Sequence, residues 1–255
     1  MLSVLIVANL KIFYSMKDAC GKKQFRIAID GPAGAGKTTL AGLLAKTLNF
    51  EHINTGMIYR ALSYILLSKF ANESILELEE TIKEKKNRIT DIISAFSPRI
   101  TKSSVVVEGT DIIGELRTPR IDSAVGIISK YEIVRERVKI IQKSLISAHP
   151  QVVVEGRDIG SEIIPDAELK IYLEASVKER AIRREKERSK DDSIENQDKL
   201  KQIEREIKER DYLDTTREIS PLVKPADAIV IDNTSLTVSE TVRKIQEIVE
   251  KRMKM

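Results

Sequence analysis

The feature that most constrains this chain is the octapeptide Gly-Pro-Ala-Gly-Ala-Gly-Lys-Thr at positions 31–38. It matches the phosphate-binding pattern G-x-x-x-x-G-K-[ST], and it stands between an apolar run, Phe25 to Ile29, and a helical pattern, Thr39 to Leu48. The three glycines let the backbone aim N–H groups at a phosphate, and the following helix adds its positive N-terminal end. The motif therefore predicts a nucleoside triphosphate site at the junction of a strand and a helix.

The residues of this loop have distinct predicted roles. Lys37 would bridge the β- and γ-phosphates, and the Thr38 hydroxyl would face Mg²⁺, the cofactor that we expect. The residues predicted to contact the nucleotide are Gly31, Pro32, Ala33, Gly34, Ala35, Gly36, Lys37, Thr38 and Thr39. The motif does not indicate what the nucleotide is used for.

The periodicity of the chain predicts an α/β fold. Five short apolar runs alternate with helical patterns, which is typical of a parallel sheet covered by helices on both faces. The predicted strands are Arg26–Asp30, His52–Asn54, Val152–Glu155, Leu169–Leu173 and Ile229–Asp232. Three residue pairs fit the capping box that starts a helix: Ser74 with Glu77, Ser176 with Glu179, and Thr237 with Glu240. A fourth helix start is predicted at Thr118, because Pro119 would then occupy the first helical position.

Two segments depart from this alternation. Between Arg88 and Arg117 the pattern changes to short β-like runs, which predicts a small separate sheet inserted into the α/β core. The runs are Ile89, Ile92–Ile93, Ile100 and Val105–Val107. The second segment, Arg180 to Arg210, is almost continuously charged, which is typical of long helices with a solvated face.

Composition excludes several functional classes. The net charge of +4 arises from both signs interspersed, so we expect no nucleic-acid partner. Two histidines and one cysteine argue against a His/Cys metal cluster or a disulfide framework, and they fit a reducing cytoplasm. The apolar stretch from Leu2 to Tyr14 is shorter than the ~20 residues of a spanning helix, so we expect no membrane contact. We interpret residues 1–24 as a non-essential extension, with Met1 as an upstream start and Met16 as the natural one.

Four further segments, together with the phosphate loop, resemble the bacterial cytidylate kinase family. They are Asn54–Arg60, Glu155–Gly160, Glu179–Arg184 and Glu209–Arg217. Their order and spacing are similar to that family from Phe25 to the C-terminus. The resemblance implies a P-loop kinase domain over residues 25–255, with a monophosphate-binding insert at about 71–147 and a helical lid at about 180–205. It also implies transfer of the γ-phosphoryl group of ATP to CMP or dCMP by a monomer.

Phosphoryl transfer between two nucleotides brings two polyanions together, so fixed cationic groups are needed on both sides. Arginine suits this role because it stays charged and grips phosphate with two parallel donors. The catalytic set implied by the resemblance is Lys37, Arg157, Arg183 and Arg184, the last two closing from the lid over the ATP phosphates. The implied CMP-binding set is Thr55, Arg60, Arg135, Arg157, Asp158, Arg210, Asp214 and Arg217.

Choice of base is expected to depend on hydrogen-bond polarity. In the resemblance, Asp158 accepts from the exocyclic amine of cytosine, and Arg135 donates to its ring acceptors. Uracil would turn a carbonyl lone pair toward Asp158, which is repulsive. The serine that helps to read cytosine in the family aligns with Gly126, which implies either relaxed discrimination against UMP or substitution by Ser123 or Ser129.

Several alternatives stay open at this point. Glu155 is either a Mg²⁺ partner acting through water or a structural carboxylate that pairs with Arg157. The acceptor could be UMP or another nucleoside monophosphate, with Gly126 as the feature that favours this. A non-catalytic switch controlled by ATP is a further alternative, but such a protein needs no second anion-binding set.

Overall fold

The computed structural model describes residues 24–70, 75–188 and 197–253. Within them, five strands form a parallel sheet: β1 (Phe25–Asp30), β2 (Glu51–Asn54), β6 (Gln151–Glu155), β7 (Leu169–Glu174) and β8 (Ile229–Asp232). Their order across the sheet is β2-β6-β1-β7-β8. The predicted parallel five-stranded sheet is therefore confirmed, with boundaries that agree to within one residue. The predicted N-terminal extension lies almost entirely outside the described residues.

Strand β1 forms the middle of the sheet. Ile27 lies between Val153 of β6 and Leu169 of β7, and all three side chains are fully buried. A strand covered by helices on both faces has no solvated side, so it reads as a continuous apolar run. This is why the sequence pattern was clear. Because the strands are parallel, their carboxyl ends meet at one edge of the sheet, where the phosphate loop begins.

Helices cover both faces of the sheet and form most of the remaining structure. They are α1 (Lys37–Leu48), α2 (Gly56–Phe70), α3 (Ile75–Glu84), α4 (Lys86–Ala95), α5 (Pro119–Ile128), α6 (Glu132–Ser147), α7 (Val177–Arg188), α8 (Gln197–Thr216) and α9 (Val238–Met253). Thr118 caps α5 by accepting from the amide of Ile121, as its sequence predicts. Thr237 and Glu240 form the predicted reciprocal capping box of α9. Ser74 lies outside the described residues.

The region predicted as an inserted sheet is partly β and mostly helical. A three-stranded antiparallel sheet is present, formed by β3 (Arg99–Ile100), β4 (Val105–Val107) and β5 (Thr110–Asp111). The β-like interpretation of Ile89 and Ile92–Ile93 is wrong, because these residues belong to α4. Their spacing of three and four residues is helical, and it places Ile89 and Ile93 on one buried face.

The charged segment forms two helices, as predicted. Helices α7 and α8 pack together around Ala181, Ile203 and Ile207, which are buried between otherwise charged surfaces. Residues 189–196 of the predicted lid lie outside the described part of the chain. No helix in the described ranges is long and apolar enough to cross a membrane.

Candidate active site

The phosphate loop leaves the carboxyl end of β1 and leads directly into α1. Gly31 has a φ of 151°, and a Cβ atom built on it would lie 2.2 Å from the carbonyl oxygen of Leu173. No side chain fits at that distance, so glycine is required for the loop to approach β7. Gly36, the last loop residue, has a φ of 84° and ends the turn immediately before α1 begins.

Lys37 lies beneath this loop. Its side chain is nearly buried, and its ammonium group donates to the carbonyl oxygens of Gly31 and Pro32, both at 2.7 Å. Burial, and next the positive charge of Arg157, lower the pKa of Lys37 well below its ordinary value. A phosphate bound in the loop would supply the negative charge that this buried cation lacks. The position therefore suits the predicted role of Lys37.

Thr38 and Glu155 bring two oxygen ligands together next to the loop. The Thr38 hydroxyl donates to Glu155 Oε2 at 2.9 Å, and Glu155 Oε1 lies 3.2 Å from His52 Nε2. Hydroxyl and carboxylate oxygens are ligands that Mg²⁺ prefers. No group of three or more His, Cys, Asp or Glu residues that could hold a metal occurs in the described residues. The Thr38 hydroxyl and the Glu155 carboxylate fit a Mg²⁺ ion that takes its other ligands from nucleotide and water.

Asp30, which sequence reasoning missed, holds the turn after β6. Its carboxylate accepts from the backbone amides of Ile159 at 2.9 Å and Gly160 at 2.7 Å. Burial raises the pKa of Asp30 to about 6, although the two amide hydrogen bonds act in the opposite direction. Because this turn carries Arg157 and Asp158, Asp30 ties both side chains to the strand that ends in the phosphate loop. The sequence signal for this role of Asp30 is a carboxylate directly before the first glycine of the phosphate loop.

Asp214 is the centre of an arginine cluster in the same cleft as the phosphate loop. The carboxylate lies 2.9 Å from Arg157 Nε, 3.6 Å from Arg210 Nε and 3.3 Å from Arg217 Nη1. Burial would raise the pKa of Asp214, but the three guanidinium groups, led by Arg157, outweigh burial and hold it below its ordinary value. Three positive charges around one negative charge leave the cluster positive, which favours binding of an anion.

Arg135 and Asp158 form a buried ion pair beside this cluster. Arg135 Nη2 donates to Asp158, and Arg135 Nη1 donates to the carbonyl oxygen of Ser129 at 3.3 Å. Two nitrogen atoms here, Arg135 Nε and Arg217 Nη2, are buried without a hydrogen-bond partner in the described structure. Unpaired buried donors are costly, so their presence is consistent with a ligand that supplies acceptors.

Asp122 joins two arginines that the resemblance places in different subsites. Its Oδ1 atom accepts from Arg60 and its Oδ2 atom accepts from Arg184. Arg60 also donates to the carbonyl oxygen of Leu116 at 2.7 Å, so its guanidinium is held at two points. Sequence reasoning did not select Asp122. An aspartate in the first turn of α5 is already explained by its favourable interaction with the positive end of the helix dipole, so the sequence gives no reason to assign it a further role.

The remaining lid arginines contact the phosphate loop rather than the open cleft. Arg183 donates to the backbone oxygen of Asn233 at 2.8 Å and to that of Ala35 at 3.4 Å. Arg180 donates to Ala33 O at 2.9 Å and pairs with Asp211. Asp211, another residue that sequence reasoning missed, also accepts from the amide of Ala33. These contacts hold α7 and α8 against the loop backbone.

A single cleft of about 710 Å³ connects the loop to the arginine cluster. It is lined by most of the predicted site residues: Ala33, Gly34, Ala35, Gly36, Lys37, Thr38, Thr39, Thr55, Arg60, Arg135, Glu155, Arg157, Asp158, Arg184, Arg210, Asp214 and Arg217. Arg183, Gly31 and Pro32 are not among its lining residues.

Glu155 does not pair directly with Arg157, whose hydrogen-bonded carboxylate partner is Asp214. Ser123 and Ser129 both line the cleft, next to Gly126.

Comparisons with known proteins identify the family of this chain. Residues 27–251 match the family model described as Cytidylate kinase. The chain is 40% identical to the cytidylate kinase of Bacillus cytotoxicus over 231 residues, which covers 91% of this chain and 98% of that one. It is 41% identical to the cytidylate kinase of Enterococcus faecalis, with coverage of 89% and 96%. A solved shikimate kinase from Acinetobacter baumannii aligns at 17% identity over 89% of this chain and 94% of that one, with a TM-score of 0.40.

The family assignment depends on the first three of these matches, which extend over nearly all of the α/β core and the cleft. It agrees with the phosphate loop, the parallel sheet and the two cationic regions described above. The chain belongs to the cytidylate kinase family.

Proposed function

We propose that this protein transfers the γ-phosphoryl group of ATP to CMP, giving CDP and ADP, with dCMP as a second acceptor. The observation that carries the proposal is that one cleft contains two cationic regions. The first is a phosphate loop with a buried lysine, and the second is a positive arginine cluster next to a buried Arg135–Asp158 pair. A site that must hold two polyanionic nucleotides needs two such cationic regions.

At the donor end, the loop amides and Lys37 would hold the ATP phosphates, and Arg184 would approach from the lid side of the cleft. Thr38 and, through water, Glu155 would hold Mg²⁺. Bound Mg²⁺ supplies neutralisation of the charge on the β- and γ-phosphates. The proposed role of Arg183 is indirect, since it hydrogen-bonds to the loop carbonyl of Ala35 and to Asn233.

At the acceptor end, Arg60, Arg157 and Arg217 would grip the CMP phosphate. Asp214 holds Arg157 and Arg217 in place, so part of the cost of orienting their side chains is met before the acceptor binds. Arg210 and Thr55 also line this part of the cleft. The protein's contribution to the reaction is then positioning and charge stabilisation, since the acceptor phosphate oxygen is itself the nucleophile.

Base choice is proposed to depend on Asp158 and Arg135. Asp158 would accept from the exocyclic amine of cytosine, and Arg135 would donate to a ring acceptor. Their mutual ion pair fixes both groups before a ligand arrives. For a non-catalytic switch, the second cationic region would have no use. We also propose that the enzyme is a cytoplasmic monomer without nucleic-acid or membrane partners.

The proposal is tested by measuring ADP release from ATP and Mg²⁺ with CMP, dCMP, UMP or AMP as acceptor. We expect rapid release with CMP and dCMP, and slower release with UMP and AMP. Faster turnover with UMP than with CMP would favour the alternative acceptor. ATP binding without acceptor-dependent release of ADP would favour the switch.

Replacing Asp158 by alanine is expected to raise KM for CMP by about 10- to 100-fold, because the exocyclic amine of cytosine would lose a charged hydrogen-bond acceptor worth about 1.5–3 kcal/mol. KM for ATP should change much less, because the proposed ATP contacts are those of the phosphate loop and Arg184. Steady-state kinetics with each substrate varied in turn measure both values. Equal increases in the two KM values would contradict a role in reading the base.

A further inference from the structure

Gly126 lies inside helix α5 and faces Arg210 of helix α8 across the cleft. A Cβ atom built on Gly126 would lie 2.7 Å from Arg210 Nη1, a separation shorter than van der Waals contact allows. Any side chain at this position would therefore displace the guanidinium group. The displaced atom belongs to the end of a flexible side chain, so the two backbones could stay in place.

The backbone itself gives no reason for a glycine here. Gly126 is not among the residues with positive φ, and α5 continues for two residues beyond it to Ile128. A glycine within a helix destabilises it relative to alanine, because it loses more backbone freedom on folding. The close approach of Arg210 is a packing reason for a glycine at this position.

We propose that Gly126 is a positioning residue for the acceptor nucleotide. Its missing side chain opens space in α5 for the guanidinium of Arg210, whose Nε also pairs with Asp214 at 3.6 Å. Arg210 is thus held between a helix backbone and a buried carboxylate, at the acceptor end of the cleft. The inference depends on the proposed function, since it concerns how that acceptor is held.

The chemistry of Arg210 determines whether its contact with the acceptor nucleotide can distinguish CMP from UMP. A guanidinium group only donates hydrogen bonds. Phosphate oxygens and the pyrimidine O2 atom accept hydrogen bonds, and CMP and UMP carry both. The space at Gly126 therefore provides affinity for either pyrimidine monophosphate, and discrimination between their bases is left to Asp158.

The test is the Gly126→Ala variant, which adds one methyl group against Arg210. We expect KM for CMP and KM for UMP to rise by the same factor, about tenfold, because a charge-assisted hydrogen bond is misplaced. KM for ATP should stay unchanged, and the melting temperature should rise, since alanine favours the helix. A merely structural role for Gly126 would not combine higher thermal stability with weaker acceptor binding.

The matched control is Gly114→Ala. Gly114 is exposed in a 3₁₀ turn, and a Cβ atom built there meets nothing within 4 Å. This variant should leave every KM value unchanged.

A double-mutant cycle with Arg210→Gln tests the mechanism directly. In the Arg210→Gln background, Gly126→Ala should produce no further rise in KM for CMP. An additive rise, or an unchanged KM for CMP in the single Gly126→Ala variant of an active enzyme, would overturn the inference while leaving the proposed function intact. Absence of acceptor-dependent ADP release by the wild-type protein would instead overturn the proposed function, and the inference with it.

Discussion

The Lys37→Met variant is expected to lose on the order of 10³-fold in kcat, because it removes the buried cation that we propose contacts the transferred phosphoryl group. Methionine keeps most of the packing of the lysine stem without its charge. Lys37 is nearly buried and its pKa is lowered by burial, so removing its charge removes a desolvation cost, which offsets the loss of its hydrogen bonds to the carbonyl oxygens of Gly31 and Pro32. The unfolding free energy should therefore change little. Turnover is measured by ADP release and folding by circular dichroism.

Lys170→Met is the matched control for this experiment. Lys170 is also nearly buried, but it pairs with Asp227 and does not line the cleft. Its removal leaves an exposed carboxylate that water can solvate. We expect wild-type kinetics for this variant. Near-wild-type turnover of Lys37→Met, with unchanged circular dichroism, would contradict the assignment of the loop.

The Arg157→Gln variant is expected to lose about 10³–10⁵-fold in kcat/KM for CMP, by analogy with arginines that stabilise phosphoryl-transfer transition states. Arg157 lines the cleft between the loop and the acceptor end, and it is the first charge partner of Asp214. Asp214 would keep Arg210 and Arg217, so the cluster should stay folded. Arg157→Lys should also be strongly impaired, because lysine keeps the charge but lacks the fork of parallel donors.

Arg26 offers a matched control for the arginine replacement. It is mostly buried and pairs with Asp166 and Glu168, outside the cleft. The Arg26→Gln variant should lose some stability and keep its kinetic constants. If Arg26→Gln and Arg157→Gln reduced kcat/KM to the same extent, general destabilisation would explain the loss and the catalytic role of Arg157 would be contradicted.

The central sheet could be predicted closely because its strands are buried on both faces. Such strands are recognisable from short apolar runs alone, and each predicted run lies in the observed sheet. The inserted region was harder, since it mixes short strands with short amphipathic helices. The interpretation of Ile89 and Ile92–Ile93 as β-like was wrong. Over only a few residues, the positions of the apolar side chains are compatible with both the helical period of 3.6 residues and the strand period of two.

Adjacent residues on α7 show the limit of sequence reasoning about the site. Arg183 and Arg184 were assigned the same role by resemblance, yet Arg184 lines the cleft and Arg183 contacts Asn233 and the loop. Neighbouring helical residues point about 100° apart, since 3.6 residues complete a turn. Which direction faces the cleft depends on how α7 packs against the loop.

The sequence by itself determined the phosphate loop and the parallel sheet, because each is written in a local motif or a local period, and the loop motif and the family resemblance together indicated 17 of the 37 residues that line the cleft. Only the tertiary structure decided how those residues pair. It placed Asp122 between Arg60 and Arg184, and it brought Arg210 against Gly126. These partners are separated by more than sixty positions in every case. Contacts over such distances arise from the packing of whole elements, which no local pattern specifies.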